Sequence, residues 1–353
     1  MKKHNFSAGP SILPQEVLKK ASEAVIDFNG LGLSLIEISH RSKDFIAVMD
    51  KAQALVKELL ELPEGYSVLF VQGGASTEFL MAPYNLLPEG GKAAYVDTGA
   101  WSKKAITEAQ RFGETVVVAS SKDKGYNYIP KGYDVPADAD YIHFTSNNTI
   151  FGTQLKDFPG GDVLKVVDMS SDIFSRKLDF SQFDVVYAGA QKNMGPSGTT
   201  LVIVKDAIFG KSGRNVPAML DYAVHAKAGS MFNTPPVFPV YVSMLTLEWL
   251  KEKGGVEAIE KLNNEKAELL YNEIDNNPAF VGFAAKEDRS NMNVTFTLAD
   301  ESQKEKFDAI AAAAGISGIN GHRSVGGYRA SIYNAMPIES VQVLVNAMQE
   351  LNK

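Results

Sequence analysis

The chain has 353 residues, with 35 Lys and Arg against 42 Asp and Glu, so its formal net charge is −7. It contains no cysteine, which excludes thiolate nucleophiles, cysteine zinc sites, iron–sulfur clusters and disulfides. The hydrophobic fraction of 45% and the charged fraction of 22% are typical of globular proteins. An acidic chain lacks the dominant basic face that a nucleic-acid partner requires, and the length predicts roughly two domains.

The sequence shows no targeting, membrane or metal signal. Residues 1–10 contain no apolar h-region, and no window approaches 18 consecutive apolar residues. We therefore expect neither a signal peptide nor a membrane span, and a soluble cytoplasmic protein is the default expectation. The five histidines show no metal-ligand spacing, so we expect no metal site.

Short apolar runs alternate with helical patterns through the first two-thirds of the chain. Periodicity predicts helices over 14–27, 45–60 and 103–112. A further helix is predicted from Ser76 or Thr77 to about residue 84, capped by one of those hydroxyls. Strands are predicted over 67–71, 93–96, 115–118, 141–144, 164–167, 185–188 and 200–204. This alternation is typical of an α/β fold with a mostly parallel sheet flanked by helices.

The pattern changes after a break at residues 251–255. A long helix is predicted over 256–274, shorter helices over 301–314 and 339–351, and strands at 292–298 and 328–332. The 292–298 strand alternates apolar and polar residues, as a half-exposed antiparallel strand does. This pattern predicts a smaller α+β C-terminal domain that begins near residue 254.

Three polar features follow predicted strands, where ligands of open α/β sheets collect. The turn at residues 72–77 (QGGAST) offers backbone N–H groups and the positive end of a helix dipole, which suits a phosphate. Asp168 follows the 164–167 strand, and Lys192 follows the 185–188 strand. Singly, these features are also explained by a tight turn, a helix cap and a surface lysine.

Together, the three features match the requirements of pyridoxal phosphate. This cofactor needs a lysine for its Schiff base, a carboxylate at its pyridine nitrogen and an anion site for its phosphate. Trp101 follows another predicted strand and could stack on the ring, although a core or surface tryptophan is an equal alternative. No Gly-x-Gly-x-x-Gly turn follows the first strand, which weighs against a dinucleotide fold.

Several segments resemble the phosphoserine aminotransferase family, which belongs to the class V, fold-type I pyridoxal-phosphate enzymes. The likeness runs nearly end to end. The segments that carry it are 5–10 (NFSAGP), 29–32 (NGLG), 39–42 (SHRS), 188–193 (AGAQKN), 229–236 (GSMFNTPP) and 321–337 (GHRSVGGYRASIYNAMP). With it we expect a large cofactor-binding domain of residues 16–254 and a small domain of residues 1–15 and 255–353.

The resemblance implies which residues bind the cofactor. They are Ala75, Ser76, Trp101, Thr149, Asp168, Gln191, Lys192, Asn233 and Thr234. Lys192 is implied to be the Schiff-base lysine and Asp168 the partner of the pyridine nitrogen, and these two are the expected catalytic residues. Asn233 and Thr234 match residues that reach the phosphate from the other subunit of a homodimer. Some family members have an arginine where this chain has Ser76, so that loop carries less positive charge here.

The resemblance also implies a substrate pocket of His40, Arg41, His322, Arg323 and Arg329. Arg329 matches a residue that holds the α-carboxylate, and Arg41 matches one that contacts the side-chain anion of the substrate. The reaction expected from the resemblance interconverts O-phospho-L-serine and 2-oxoglutarate with 3-phosphohydroxypyruvate and L-glutamate, in serine biosynthesis. Some relatives also act on phosphohydroxythreonine in pyridoxine synthesis, so that substrate stays open.

Two alternatives to this reaction stay open at the level of the sequence. One is another class V aminotransferase, such as alanine–glyoxylate aminotransferase, although an enzyme for uncharged side chains would not need so many basic residues. The absence of cysteine removes the desulfurases of the same class. The other is a non-catalytic α/β protein that kept the fold, in which the basic 321–329 stretch is a solvated surface loop.

Overall fold

The computed structural model describes residues 3–352. In chain order, its first strands are β1 (His4–Asn5), β2 (Tyr66–Val71), β3 (Lys92–Asp97), β4 (Glu114–Ser120), β5 (Tyr141–Thr145), β6 (Asn147–Asn148) and β7 (Thr153–Gln154). The remaining strands are β8 (Leu164–Asp168), β9 (Val185–Gly189), β10 (Thr200–Lys205), β11 (Phe280–Gly282), β12 (Asn293–Leu298), β13 (Ile316–Ser317) and β14 (Tyr328–Ser331). The α-helices are α1 (Gln15–Ile26), α2 (Lys43–Leu59), α3 (Gly74–Leu86), α4 (Ala100–Ala109), α5 (Tyr222–Lys227), α6 (Val237–Glu252), α7 (Gly255–Asn276), α8 (Lys304–Ala313) and α9 (Ile338–Glu350).

A seven-stranded sheet forms the centre of the protein. Its strand order is β2-β10-β9-β8-β5-β3-β4. The neighbours from β9 to β4 pair in parallel, whereas β10 is antiparallel to both β2 and β9. The predicted α/β class with a mostly parallel sheet is therefore confirmed, with β10 as the one reversed strand of this sheet.

Helices cover both faces of the sheet. Alternate side chains of β2 accordingly belong to two different hydrophobic cores, one on each face. Val68 and Phe70 belong to a core shared with α1, α2 and α6. Leu69 and Val71 belong to the opposite core, shared with α3 and α4. Because successive strand residues point to opposite faces, a sheet covered on both sides needs strands that are apolar throughout.

The C-terminal part of the chain forms a second layer with its own core. Strands β11, β12 and β14 make an antiparallel sheet in that order, which confirms the antiparallel pairing predicted for the 292–298 strand. The predicted half-exposure is wrong, because five of the six residues of β12 are buried and its polar face contacts residues 147–151 through Asn293 and Thr295. Apolar residues of α7, α8 and α9 pack against it. Strand β1 pairs in parallel with β13, and Phe6, the residue after β1, is fully buried in this core. The division into 16–254 and 1–15 with 255–353 stays a prediction, and its residues 1, 2 and 353 lie outside the described residues.

Helices α4 and α6 differ from the sequence prediction for physical reasons, and the short helix α5 was also not predicted. Helix α6 was not predicted, because residues 240–247 are all buried and leave no polar face to produce a period. Helix α4 begins three residues before its predicted start. The Ser102 hydroxyl accepts hydrogen bonds from the backbone N–H groups of Thr98 and Gly99, both at 3.0 Å, so the first turn forms earlier. Within residues 3–352, no helix is long and apolar enough to cross a membrane.

The burial of Phe6 predicts that the N-terminal strand stabilises the C-terminal core. Phe6→Ala should lower the free energy of unfolding by about 3–5 kcal/mol, because a fully buried aromatic ring is lost and a cavity remains. Urea unfolding followed by far-UV circular dichroism measures this difference. The control is Val281→Ala, since that side chain is 51% exposed and should change stability by less than about 0.5 kcal/mol. Equal unfolding midpoints for the two variants would contradict the prediction.

Candidate active site

The carboxyl ends of neighbouring parallel strands bring the predicted site residues to one edge of the sheet. Asp168 is the last residue of β8, so this strand ends one residue later than predicted. Asp168 pairs with Thr145 of β5. Gly189 ends β9 and leads to Lys192. Val71 and Gly189 both pair with Thr200 of β10, so the ends of β2 and β9 lie about 10 Å apart, two strand spacings. The loops after these strands therefore surround one region.

The amine of Lys192 lies in the centre of this region. Its Nζ donates a hydrogen bond to Thr149 Oγ1 at 2.8 Å and lies 5.3 Å from the centroid of the Trp101 ring. The pKa of Lys192 is lowered to about 8, because the effect of burial and the charge of Arg329 together outweigh the opposing charge of Asp168. Roughly a tenth of this amine is thus unprotonated at pH 7, far more than for an exposed lysine, and the unprotonated form is the one that acts as a nucleophile or base.

Asp168 is a buried carboxylate close to that amine. Its Oδ1 accepts a hydrogen bond from the backbone N–H of Ser170 at 2.9 Å. Burial raises the pKa of Asp168, while the positive charge of Lys192 and the Ser170 hydrogen bonds lower it. The carboxylate therefore lies where a further cationic partner would stabilise its ionised form.

The glycine turn after β2 is an open helix N-terminus, which corrects the predicted cap. Helix α3 begins at Gly74 rather than at Ser76 or Thr77, and its N-cap is Gly73 with φ +102° and no side-chain cap. A side chain at position 73 would also collide with Thr77, because an added Cβ would lie 1.8 Å from its Oγ1. The first-turn N–H groups, including those of Ala75 and Ser76, have no acceptor within the helix and can receive an anion.

Gln191 and Thr234 lie close to two elements of this region. Gln191 lies against the end of β9, and Thr234 is hydrogen-bonded to Gln72 of the glycine turn. An added Cβ on Gly189 would meet Gln191 Oε1 at 2.7 Å, so a glycine is needed for the amide of Gln191 to lie against the end of β9. Gln72 donates from Nε2 to the backbone carbonyl of Thr234 at 3.0 Å within the same chain. Asn233 Nδ2 also contacts that carbonyl, at 3.3 Å.

Arg329 on β14 brings a guanidinium from the C-terminal layer to the same site. Its Nη1 lies 3.4 Å from the carbonyl oxygen of Thr149, the residue whose hydroxyl binds Lys192. Its Nε is buried and has no hydrogen-bond partner in the part of the chain that the structure describes. Nε1 of Trp101 is in the same situation. Buried donors without partners are rare in proteins, and these two belong to side chains beside Lys192, where a bound molecule could accept their hydrogen bonds.

Further positive charges border the guanidinium. His322 is half-buried, and its Nδ1 lies 2.6 Å from Ser324 Oγ. The pKa of His322 is lowered first by burial and then by the charges of Arg329, Arg323 and Lys104, so these side chains lie within electrostatic reach of it. Lys104 was not predicted from the sequence. Its Nζ lies 4.5 Å from the Trp101 ring centroid, and the signal that could have found it is its position one helical turn after that ring.

His40 and Arg41 lie in the loop between α1 and α2, away from this group. Arg41 is exposed, and Nε2 of His40 is buried without a partner among residues 3–352. The described contacts connect neither residue, nor Asn233, to Lys192. Over the same described range, no three His, Asp or Glu side chains lie close enough together to hold a metal ion.

The sheet edge, the lysine and the open helix N-terminus have the features of a fold-type I transferase. The family model described as "Aminotransferase class-V" matches residues 3–344. The chain belongs to the class-V aminotransferase family.

Similar proteins in this family, including solved structures of the same fold, are named phosphoserine aminotransferases. A phosphoserine aminotransferase of Flavobacterium johnsoniae is 69% identical over 352 residues, which cover 99% of each chain. The solved phosphoserine aminotransferase of Bacillus circulans subsp. alkalophilus is 46% identical with a TM-score of 0.96, and the match covers 99% of this chain and 98% of that one. The PLP-bound phosphoserine aminotransferase of Trichomonas vaginalis is 35% identical with a TM-score of 0.91, over 99% of this chain and 100% of that one.

The charges around His322 give a test of this arrangement. Lys104→Gln should raise the pKa of His322, because one of the charges that disfavour the imidazolium is removed. An NMR titration of the histidine ring signals measures the pKa, with His322→Gln used to assign the resonance. Lys103→Gln is the matched control, since it removes the same charge from the neighbouring position of α4. Equal shifts in the two variants would contradict a specific position for Lys104 beside His322.

Proposed function

We propose that this chain is a pyridoxal-phosphate-dependent transaminase that interconverts O-phospho-L-serine and 2-oxoglutarate with 3-phosphohydroxypyruvate and L-glutamate. The observation that carries the proposal is the joint attachment of Lys192 and Arg329 to Thr149. An amine with a lowered pKa thereby lies beside a guanidinium that has an unpartnered donor. The names of the relatives support the substrate assignment.

The residues at the sheet edge fit the cofactor. Lys192 would bind it covalently, and Asp168 would pair with its pyridine nitrogen, which would supply the cationic partner that the buried carboxylate lacks. Its phosphate would occupy the open N-terminus of α3, with Ala75, Ser76 and Gln191 as neighbours. The indole of Trp101 and the hydroxyl of Thr149 would border its ring. Pyridoxal phosphate supplies an electron sink that allows the Cα–H bond of an amino acid to break.

The chain's own groups orient the substrate and move the proton. Arg329 grips the α-carboxylate through two parallel hydrogen bonds, a geometry that suits a planar guanidinium. The N–H of Nε, which has no partner among residues 3–352, points to the same side of the guanidinium as Nη2, so these two donors make the pair, while Nη1 faces the carbonyl of Thr149 at 3.4 Å. Lys192 Nζ, in its unprotonated form, takes the proton from the substrate Cα as a general base. The hydrogen bond to Thr149 aims the amine at one side of the site.

The distal anion of the substrate is assigned to the basic residues at the periphery. His40, Arg41, His322 and Arg323 are proposed to share this role, whether the anion is the carboxylate of glutamate or the phosphate of phosphoserine. Some relatives have an arginine at the position of Ser76. Because serine is uncharged, the helix dipole alone attracts an anion to the N-terminus of α3 in this chain. Phosphohydroxythreonine has the same two anionic ends, so we include it as a second substrate and pyridoxine biosynthesis as a second context.

A homodimer with shared active sites is part of the proposal. The segment that leads to His40 and Arg41 exposes large apolar side chains, with Ile26 82% and Ile36 62% accessible. Neighbouring exposed apolar residues of this kind mark an interaction surface. A second copy that covers this segment would also bring its basic loop, and its Asn233 and Thr234, towards a neighbouring site.

All the substrates are anions, which the hydrocarbon core of a membrane excludes, so we propose that the reaction runs in the cytoplasm.

Another class V activity is not favoured. The relatives with high identity over the whole chain are named phosphoserine aminotransferases rather than alanine–glyoxylate aminotransferases. A positive cluster around Arg329 would also serve no purpose for an uncharged amino-acid side chain.

Replacement of the central lysine tests the chemistry. Lys192→Ala should lower the rate of glutamate formation from phosphoserine and 2-oxoglutarate by at least about 100-fold, because the general base is lost. In the wild-type protein, borohydride should fix the cofactor onto the peptide that contains residue 192, as detected by mass spectrometry. Lys103→Ala is the control lysine and should keep full activity.

A substrate panel of phosphoserine, phosphohydroxythreonine, alanine and glutamate completes that experiment. Phosphoserine should be the preferred amino donor over alanine. Survival of activity in Lys192→Ala, or a preference for alanine, would overturn the proposed function.

The dimer proposal predicts an effect of charge on the exposed apolar segment. Ile36→Lys should shift the protein towards monomers in sedimentation velocity and lower its activity, because a buried ammonium opposes association. Val281→Lys places the same charge at another exposed apolar position, on β11, and should leave the dimer intact. A wild-type chain that sediments as a monomer at assay concentration would contradict the shared sites.

A further inference from the structure

A lysine outside the active site is fully buried on helix α7. Lys266 has no exposed surface, and its Nζ donates hydrogen bonds to the backbone carbonyls of Ile332 at 2.9 Å and Tyr333 at 2.7 Å. Burial lowers its pKa to about 7, and no neighbouring charge of the described residues offsets this effect. Lysine is almost never buried without a charged partner, because removing an ammonium from water is costly. An apolar side chain of similar size would fill the same space without this cost.

The two carbonyls that Lys266 binds lie where the chain leaves strand β14. Ile332 follows the strand directly, so its carbonyl has no ladder partner and needs a donor from elsewhere, which Lys266 supplies. The carbonyl of Tyr333 accepts from Lys266 and also from the backbone N–H of Met336 at 2.9 Å. Lys266 therefore attaches this short segment to α7.

Asn263, one helical turn earlier on α7, binds the next residue of the same segment. Its Nδ2 donates to Asn334 Oδ1 at 2.9 Å and to the carbonyl of Ser175 at 3.1 Å. Both Asn263 and Lys266 are buried on one face of the helix, at positions three residues apart. Together they bind consecutive residues 332–334, and we call this pair the α7 clamp.

Residues 332–334, which the α7 clamp binds, connect Arg329 with the loop that carries Lys192. Asn334 donates its backbone N–H to the side-chain oxygen of Asn193 at 2.9 Å, and Asn193 is the residue after Lys192. Arg329 lies three residues before Ile332 on the other side. Tyr333 of this segment donates its hydroxyl proton to the carbonyl of Ala8 at 2.7 Å, and the next residue, Gly9, lies so close to Lys192 that an added Cβ would be 3.3 Å from its Cγ. A shift of residues 332–334 would thus move both the guanidinium and the loop of the amine.

We propose that Lys266 is a positioning residue for transamination, which holds Arg329 in register with Lys192 through residues 332–334. This inference rests on the proposed function, because it assumes that the guanidinium and the amine act on one substrate. Lys266 itself does not contact the substrate. Its effect should therefore be the same for every amino donor, because all of them present the same α-carboxylate to Arg329.

The test compares kcat/KM of Lys266→Met for glutamate and for phosphoserine, in cofactor-loaded protein. Methionine fills the same volume but donates no hydrogen bond. We expect kcat/KM to fall by the same factor for both donors, about tenfold to 100-fold, as when reacting groups are displaced by about 1 Å. Lys261→Met, an exposed lysine of α7 that pairs with Glu257, is the matched control and should be neutral.

A double-mutant cycle with Arg329→Ala separates positioning from general loss of structure. If Lys266 acts through the guanidinium, Lys266→Met should have little further effect on kcat/KM in the Arg329→Ala background. The same fractional loss in both backgrounds, or an unchanged kcat/KM in the single variant, would overturn the inference. If Lys266→Met does not fold, Lys266→Gln replaces it in the same cycle, because glutamine keeps a donor and conserves most of the volume. Failure of the wild-type chain to transaminate phosphoserine would instead refute the proposed function.

Discussion

The active site depends on one residue, Thr149, which contacts the amine and the guanidinium at the same time. Its hydroxyl oxygen accepts from Lys192 Nζ and its carbonyl lies against Arg329. The hydroxyl and the carbonyl of one residue are separated by a few covalent bonds, so their relative position is nearly fixed. A site built on this residue can bring groups from two different layers of the fold together without a long connection between them. Thr149 in turn lies beyond the end of β5, whose position the central sheet determines.

Burial of the amine brings a second constraint, because desolvation and charge must be balanced. Burial alone would lower the pKa of Lys192 and leave a neutral amine, while the carboxylate of Asp168 pulls the pKa back up. The same pair of charges acts in reverse on Asp168, whose pKa is raised by burial and lowered by the lysine. This balance holds the pKa of Lys192 at about 8 and gives the buried Asp168 a cationic neighbour that favours its ionised form. Moving either side chain outward to solvent would remove this property.

The local rules of strands, turns and sheet edges were sufficient to locate the centre of the site. Asp168 and Lys192 were singled out because each follows an apolar run that ends at this edge, but singly each is also explained by a helix cap or a surface lysine, and the resemblance implied their roles. The cap of α3 could not be predicted, because a hydroxyl at Ser76 looks like a cap, and only the backbone shows that Gly73 is the N-cap. Helix α6 gave no period because both its faces are buried. Lys266 was missed for a different reason, because the carbonyls that it binds lie far away in the chain and no local pattern contains them. Lys104 lies one helical turn after Trp101, but only the fold brings it within electrostatic reach of His322.

A chain with a net charge of −7 has to concentrate positive charge where it binds anions. It does so with groups that restrain one another, since burial first, and then the charges of Arg329, Arg323 and Lys104, lower the pKa of His322. Such a cluster is unfavourable for the empty protein and is relieved when an anion arrives, so part of the binding free energy of the substrate comes from cancelling this repulsion. The same repulsion tends to push the guanidinium away from the other cations. The polar attachments of residues 332–334 to α7 and to Asn193 would resist that displacement, because they add directional hydrogen bonds to the apolar packing of the fully buried Ile332.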